Sequence, residues 1–289
     1  MTFTIEEPTT VDEAITLLSE GDESTRVVAG GTGLALLMRY GFFEPTTLIS
    51  LRRLAPELSR IEVEPGGTVR LGAMATLRDL EDSDVVAQRL PLLRDALDVL
   101  ATIRLRNVAR LGGAIAHGHP QMDTPPVLLA LDAEVHVVST RGARSIPAAE
   151  LFLGYYETAV EDDELITEVM IAPKTGKAAY RKVTARAVDD WPMLGIAAQA
   201  QLRDGRLAEI AVALGALTDR AQRLTAMEQA LQGAQATPEL LAEAAAAGAD
   251  EVEYHDKPVA SAAFQRHLVQ VHLRRTLAEV VSNGTQGGK

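Results

Sequence analysis

At 289 residues, with 47% hydrophobic and only 4% aromatic content, the chain is long enough for two cores and has to fill them with aliphatic side chains and alanine. Its net charge of −12 comes without the clustered Lys and Arg of a nucleic-acid binder, and the absence of cysteine excludes disulfides, iron–sulfur ligation and a thiol nucleophile within this polypeptide. No apolar run reaches the ~20 residues of a membrane span, and MTFTIEEPTT has neither the basic nor the apolar part of a secretory signal, so the expected location is the cytoplasm.

Thr10 with Glu13 three residues later is a capping-box pattern, predicting a helix through Ala14, Leu17 and Leu18 that ends at Gly21. Residues 26–29 are short and apolar, Gly30, Gly31 and Gly33 follow, and 34–38 can begin a helix. The order is strand, glycine turn, helical turn. Such a turn lets the backbone approach an anion, with the helix-start N–H groups facing it. It is not a P-loop, because no lysine stands before position 174, and not G-x-G-x-x-G, because counting from Gly31 the third glycine position holds Leu36. Taken alone it fits an ordinary strand-to-helix joint equally well.

Residues 48–51 read as a strand, and 61–63 with 69–71 flank Gly66 and Gly67 as a hairpin. Thr76 can cap a short helix, and Leu93, Ala96, Leu97 and Leu100 form a helical stripe. The stretch 106–123, RNVARLGGAIAHGHPQMD, places Gly112 and Gly113 inside an apolar run that reads as a strand with a bulge or a close approach. Two glycine clusters on separate strands suggest one long ligand held twice. Pro125 and Pro126 can start a helix through Leu131, 134–139 alternates as a strand, 141–143 turns it back, and 165–171 is the last strand of this half. The turn PKTGK at 173–177 is the expected domain boundary. Beyond it, 179–183, 194–202 and 209–215 read as three strands, the last two joined at Asp204 and Gly205. Helices follow, one capped by Thr237 and closed by Gly248, another capped by Ser261 with Phe264, Leu268 and Val271 on its stripe. The end of the chain, from 282, is expected to be flexible.

Two groups of side chains carry open readings. His117, His119 and Asp123 fit a metal site by spacing, but Gly118 and Pro120 between them fit better a loop wrapped near a ligand. Lys182 shares a strand face with Tyr180 and reads either as a solvated edge residue or as a cation placed for a ligand. Trp191, in a loop, reads as partly buried.

Taken in order, Phe3 with Pro8, DEA at 12–14, AGGTG at 29–33, LGAMAT at 71–76, RN at 106–107, LGG at 111–113, His117, Pro120, Asp123, LALDAEV at 129–135, Tyr180 with Lys182, and Ser261 with RHL at 266–268 make the chain resemble the medium, FAD-binding subunit of the molybdenum hydroxylases, the carbon monoxide dehydrogenase and xanthine dehydrogenase family. The resemblance implies an α+β chain. An N-terminal FAD-binding part of two α/β subdomains (PCMH-type; 1–57 and 58–174) precedes a C-terminal α+β domain at 178–281, with a three-stranded antiparallel sheet and helices, then a tail at 282–289. FAD would lie in the cleft between the two parts. By the same resemblance Ala29, Gly30, Gly31, Thr32 and Gly33 bind the pyrophosphate, and Arg110, Leu111, Gly112, Gly113 and Ala114 touch ribitol and flavin. His117 is a further cofactor contact, Asp123 holds a ribose or adenine-side group, and Lys182 stabilises negative charge on the reduced ring.

Arg110 stands where that family usually has Thr, and Thr32 where Gln, His or Ser is common. No catalytic residue and no metal ligand are expected on this chain. The implied partners are an iron–sulfur small subunit and a molybdenum-binding large subunit in a heterotrimer, with molybdopterin and [2Fe-2S] clusters held by those subunits. The expected role is electron transfer from the clusters through FAD to an external acceptor. The alternatives are a self-contained FAD oxidase or dehydrogenase with its own small substrate, and an assembly subunit that kept the fold without cofactor.

Overall fold

The computed structural model describes residues 2–258 and 260–282; of the tail expected to be flexible, the part past Ser282 lies outside the described residues. In chain order the elements are β1 (Thr4–Glu6), α1 (Val11–Glu20), β2 (Thr25–Val28), α2 (Thr32–Arg39), β3 (Thr47–Ser50), a 3-10 turn (Leu51–Leu54), α3 (Ala55–Leu58), β4 (Ile61–Val63) and β5 (Val69–Gly72). A run of helices follows: α4 (Leu77–Asp82), α5 (Asp84–Arg89), α6 (Pro91–Val99), α7 (Ile103–Arg106) and α8 (Leu111–His117). Next come α9 (Thr124–Ala130), β6 (Glu134–Ser139), β7 (Gly142–Pro147), α10 (Ala148–Leu151), β8 (Phe152–Gly154), β9 (Glu157–Thr158) and β10 (Leu165–Ile171). The remainder is β11 (Lys177–Thr184), β12 (Pro192–Arg203), β13 (Arg206–Gly215), β14 (Gln222–Arg223), α11 (Thr225–Leu231), α12 (Pro238–Asp250) and α13 (Ala262–Val281).

This α+β chain packs as two units, the first made of the residues up to Leu90, Leu100–His119 and Asp132–Pro173, the second of Pro91–Val99, Pro120–Leu131 and the residues from Lys174 on. In the first unit a parallel sheet runs β1–β3–β2 and an antiparallel sheet runs β4–β5–β10–β6–β7. Local chemistry sets the helix starts. The Thr10 hydroxyl accepts from the Glu13 N–H while the Glu13 carboxylate reaches back to the Thr9 N–H at 2.7 Å, and Thr76 with Asp79 closes a reciprocal box on α4. Ile15 and Leu18 of α1 pack with Ile49 of β3, Leu54, Met74 and Leu165. Because α2 is the crossover between the parallel strands β2 and β3, the glycine turn lies at the carboxyl end of β2, where open α/β sheets hold ligands.

The second unit is built on the antiparallel sheet β11–β12–β13–β14. Asp204 (φ 51°) and Gly205 (φ 74°) form the two-residue turn between β12 and β13, both left-handed as a strand-matched hairpin requires. Leu194, Ile196 and Leu214 of the sheet pack with Leu241 of α12 and with Leu273 and Leu277 of α13. The sheet has a fourth strand where three were expected, because β14 is two polar residues with no periodicity to read.

Three local expectations are corrected. Gly112 and Gly113 lie in a helix, α8, and not in a strand: the run is too short for its period to tell the two apart, and burial of Leu111 and Ile115 decides for the helix. Gly248 does not end α12, which continues to Asp250. It is buried inside the helix, where an added Cβ would meet Met227 Sδ at 2.7 Å and Leu273 at 3.0 Å. On α13 the buried positions are Gln265, Val269, Leu273, Thr276, Leu277 and Val280, while Phe264 is exposed. Two polar residues hold core positions there because each is satisfied: Gln265 donates to the carbonyls of His255 and Ala260, and Thr276 accepts from Arg181 Nε and donates to the His272 carbonyl.

Candidate cofactor site

The chain leaves β2 through Ala29 and Gly30, and Gly31 (φ 69°, ψ −1°) caps α2 in the left-handed region. No side chain caps this helix, so the first-turn N–H groups that follow Gly31 are left to a ligand. Gly30 is fixed by crowding: a Cβ there would stand 2.2 Å from the Val108 carbonyl oxygen, and backbone cannot swing away. Although α2 reads TGLALLMR, none of its residues is buried.

Arg110 precedes α8 and likewise offers no side-chain cap, but the Leu111 and Gly112 N–H groups are taken by the carbonyls of Ala75 (3.0 Å) and Ala73 (2.8 Å). Gly112 presses on Ala73, whose Cβ would lie 2.7 Å from a new Cβ. Gly113 differs, since a Cβ there would meet only the Ala29 Cβ, at an ordinary 3.5 Å. The two glycine stretches therefore lie side by side within the first unit, with the Val108 carbonyl on Gly30, the His117 ring beside Gly33, and Gly113 one methyl's reach from Ala29. Arg110 donates from Nη1 to the Met74 carbonyl at 2.7 Å, and its buried Nε has no hydrogen-bond partner among the described residues.

His117 and His119 stack with ring centroids 6.0 Å apart, and both meet the Tyr156 ring edge-on, at 5.1 and 5.0 Å. Burial lowers the pKa of His117, and burial together with His117 lowers that of His119 to about 4. Near neutral pH both imidazoles are uncharged and can donate or accept. Tyr156, at φ 56°, donates its N–H to the Gly118 carbonyl and had no signal in the sequence.

In the second unit, Lys182 Nζ donates to Asp123 Oδ2 at 3.1 Å and to the Val99 carbonyl at 3.1 Å, and the Tyr180 hydroxyl donates to Asp123 Oδ1 at 2.8 Å. The Lys182 and Asp123 side chains are only 3% and 6% exposed. Burial raises the Asp123 pKa, with Lys182 and Tyr180 opposing, and burial and Asp123 push the Tyr180 phenol well above its ordinary value. Lys182 is not a solvated edge residue, although β11 is an edge strand. The separate roles expected of Asp123 and Lys182 meet in one buried ion pair, so a ligand group reaching either side chain competes with the other. Beside them the Thr124 hydroxyl is buried with no hydrogen-bond partner among the described residues. Trp191 is half exposed.

Residues 1–174 match the family model of the FAD binding domain in molybdopterin dehydrogenase, and 178–280 match that of the CO dehydrogenase flavoprotein C-terminal domain. The chain belongs to the FAD-binding medium subunits of the molybdenum hydroxylases. Among its relatives, the nicotine 6-hydroxylase medium subunit of Paenarthrobacter nicotinovorans is 35% identical over 94% of this chain and 95% of that one. The carbon monoxide dehydrogenase medium chain of Hydrogenophaga pseudoflava is 36% identical over 84% of each. Among solved structures, carbon monoxide dehydrogenase from Hydrogenophaga pseudoflava superposes with a TM-score of 0.92 at 32% identity, covering 97% of both chains. Quinoline 2-oxidoreductase from Pseudomonas putida 86 does so with a TM-score of 0.92 at 26% identity and the same coverage.

This medium subunit is thus an oxidoreductase component, and its cofactor is FAD. The residues present fit that cofactor. The uncapped start of α2 supplies N–H donors for a pyrophosphate, the open face at Gly113 admits a planar group to the backbone, and the orphaned Arg110 Nε is a donor awaiting an acceptor. No helix among the described residues is long and apolar enough to cross a membrane.

Proposed function

We propose that this chain is the electron-transfer subunit of a molybdenum hydroxylase heterotrimer, working with an iron–sulfur small subunit and a molybdenum-binding large subunit in the cytoplasm. FAD, when bound, supplies the redox chemistry, receiving electrons from the iron–sulfur clusters and yielding them to an external acceptor. Ala29, Gly30, Gly31, Thr32 and Gly33 hold the pyrophosphate, with α2 directing its N–H groups at the charge. Arg110, Leu111, Gly112, Gly113 and Ala114, with His117, carry the ribitol and flavin portion. Arg110 replaces the usual hydroxyl by a fixed cation.

Asp123 and Lys182 act in binding as one pair. Lys182 Nζ and the Asp123 carboxylate hold each other at 3.1 Å, so this chain offers its ligand a paired donor and acceptor where the sequence suggested a free cation. The observation that carries the reading is the side-by-side placement of the two glycine turns, 77 or more residues apart in sequence, with the His117 ring beside Gly33 and Gly113 one methyl's reach from Ala29.

Purification under native conditions, followed by metal analysis and a visible spectrum, tests it. The expected product is yellow and contains iron and molybdenum on companion chains. A colourless chain purified alone, without FAD-dependent protection of the amides of 29–33 and 110–114 from hydrogen exchange, overturns it.

A further inference from the structure

The turn that leads into the second glycine cluster is unusually bare. Ile103 is 51% exposed, Val108 48% and Leu105 37%, and Arg104 of α7 and Asn107 just after it are exposed as well. This is not a fraying loop. Arg106 is buried and grips Glu81 with two hydrogen bonds, Nε to Oε2 at 2.8 Å and Nη2 to Oε1 at 3.0 Å, while Nη1 donates to the carbonyls of Leu100 and Ala101. Thr102 caps α7. A rigidly anchored turn that presents apolar side chains to solvent is what a preformed interface needs.

Its charge is as distinctive as its polarity. In a chain of net charge −12, residues 99–122 contain no Asp or Glu and three Arg. Arg106 is neutralised by Glu81, which leaves Arg104 exposed beside Ile103 and Leu105. The surface also borders the cofactor site, since the Val108 carbonyl packs on Gly30 and Arg110 begins the second turn.

We propose that the surface formed by Ile103, Arg104, Leu105 and Val108 docks the iron–sulfur subunit. The inference rests on the electron-transfer reading above. A chain without cysteine cannot hold the donor cluster, so the donor arrives on another chain and has to approach next to the flavin. Thiolate ligation gives that partner negative charge near its cluster, which the exposed Arg104 among apolar side chains complements and the acidic remainder of this chain repels.

The test is reconstitution of the complex from the wild-type chain, Ile103→Glu, Arg104→Glu and, as a control on another exposed apolar site, Phe42→Glu. Binding is read by sedimentation against the co-expressed partner, recognised by its iron and acid-labile sulfide, with FAD content and melting temperature measured on each variant. Ile103→Glu and Arg104→Glu are expected to weaken association about tenfold or more, with FAD content and melting unchanged and Phe42→Glu without effect. Association equal to wild type overturns the docking surface and leaves the functional reading standing. So does a loss confined to the molybdenum subunit or to a second copy of this chain. A loss that only follows a fall in FAD content assigns the turn to the cofactor site and overturns docking as well. If the wild-type chain itself finds no iron-bearing partner, the functional reading falls and the docking proposal with it.

Discussion

The glycine turns of the first unit and the Asp123–Lys182 pair of the second both carry residues that the family resemblance assigns to the cofactor, yet they are built by opposite means. The turns work by omission: Gly30 has no room for a Cβ, Gly31 occupies a conformation few side chains adopt, and α2 begins without a cap. The pair works by addition, placing two charges and a phenol where almost no water reaches. Backbone recognition is cheap to keep and tolerates no added atom, whereas a buried ion pair tolerates change only when both partners change together. The same contrast decides what a sequence reveals. Glycines in a strand-to-helix turn announce themselves locally, while nothing in the pattern joins residue 123 to residue 182.

The largest effect is expected from splitting the pair. Lys182→Met leaves the Asp123 carboxylate buried with only Tyr180 to stabilise it, at a cost of about 3–5 kcal/mol in urea unfolding. Adding Asp123→Asn should restore much of that loss. A double variant as unstable as the single would show that the two groups do not act as a unit.

Next in size is Gly30→Ala. The new methyl would lie 2.2 Å from the Val108 oxygen, so either strand end or turn has to move, costing about 2–3 kcal/mol and releasing FAD from the purified chain. Retention of full flavin content with an unchanged melting temperature would remove the close approach from the account. For the histidines the expectation concerns pH. Folding holds His119 at about 4, below its ordinary 6.5, and His117 is also lowered, so the unfolded chain binds more protons in between. Stability from these buried neutral rings is present above pH 6.5 and declines as pH falls toward 4. His119→Gln should flatten that slope, measured as midpoint against pH beside the wild type.

Much of the fold was legible because its signals are local. Thr10 with Glu13, Thr76 with its short helix, Pro125 with Pro126, and Asp204 with Gly205 each specify a cap or turn within a few residues. What escaped depends on distant partners. The run around Gly112 is a helix that buries Leu111 and Ile115, and its first N–H groups go to Ala75 and Ala73, 36 and 39 residues upstream. Gly248 looks like a helix stop until Met227 and Leu273 are seen filling the space its side chain would take. The inward stripe of α13 is displaced by Gln265 and Thr276, which no hydrophobic pattern would place in a core. At the site, the first turn was readable from its residues, whereas the anchor Arg106–Glu81 and the aromatic contact of Tyr156 on two histidines were not.

The smallest expected effect on stability separates the two kinds of glycine most cleanly. Gly113 lies in α8 and is exposed, without the left-handed φ of Gly31, and its added Cβ would meet nothing closer than Ala29 at 3.5 Å. Nothing in the protein requires glycine there. Alanine is the better helix former, so Gly113→Ala should stabilise the cofactor-free chain by about 0.5–1 kcal/mol. If the open face exists for the flavin, the same methyl intrudes on the ligand, and FAD affinity should fall while the apo melting temperature rises. Affinity by fluorescence quenching and melting by calorimetry, on one preparation, give the two signs separately. A variant that gains stability and binds FAD as tightly as before would make this glycine incidental and leave the first turn to hold the cofactor's backbone contacts alone.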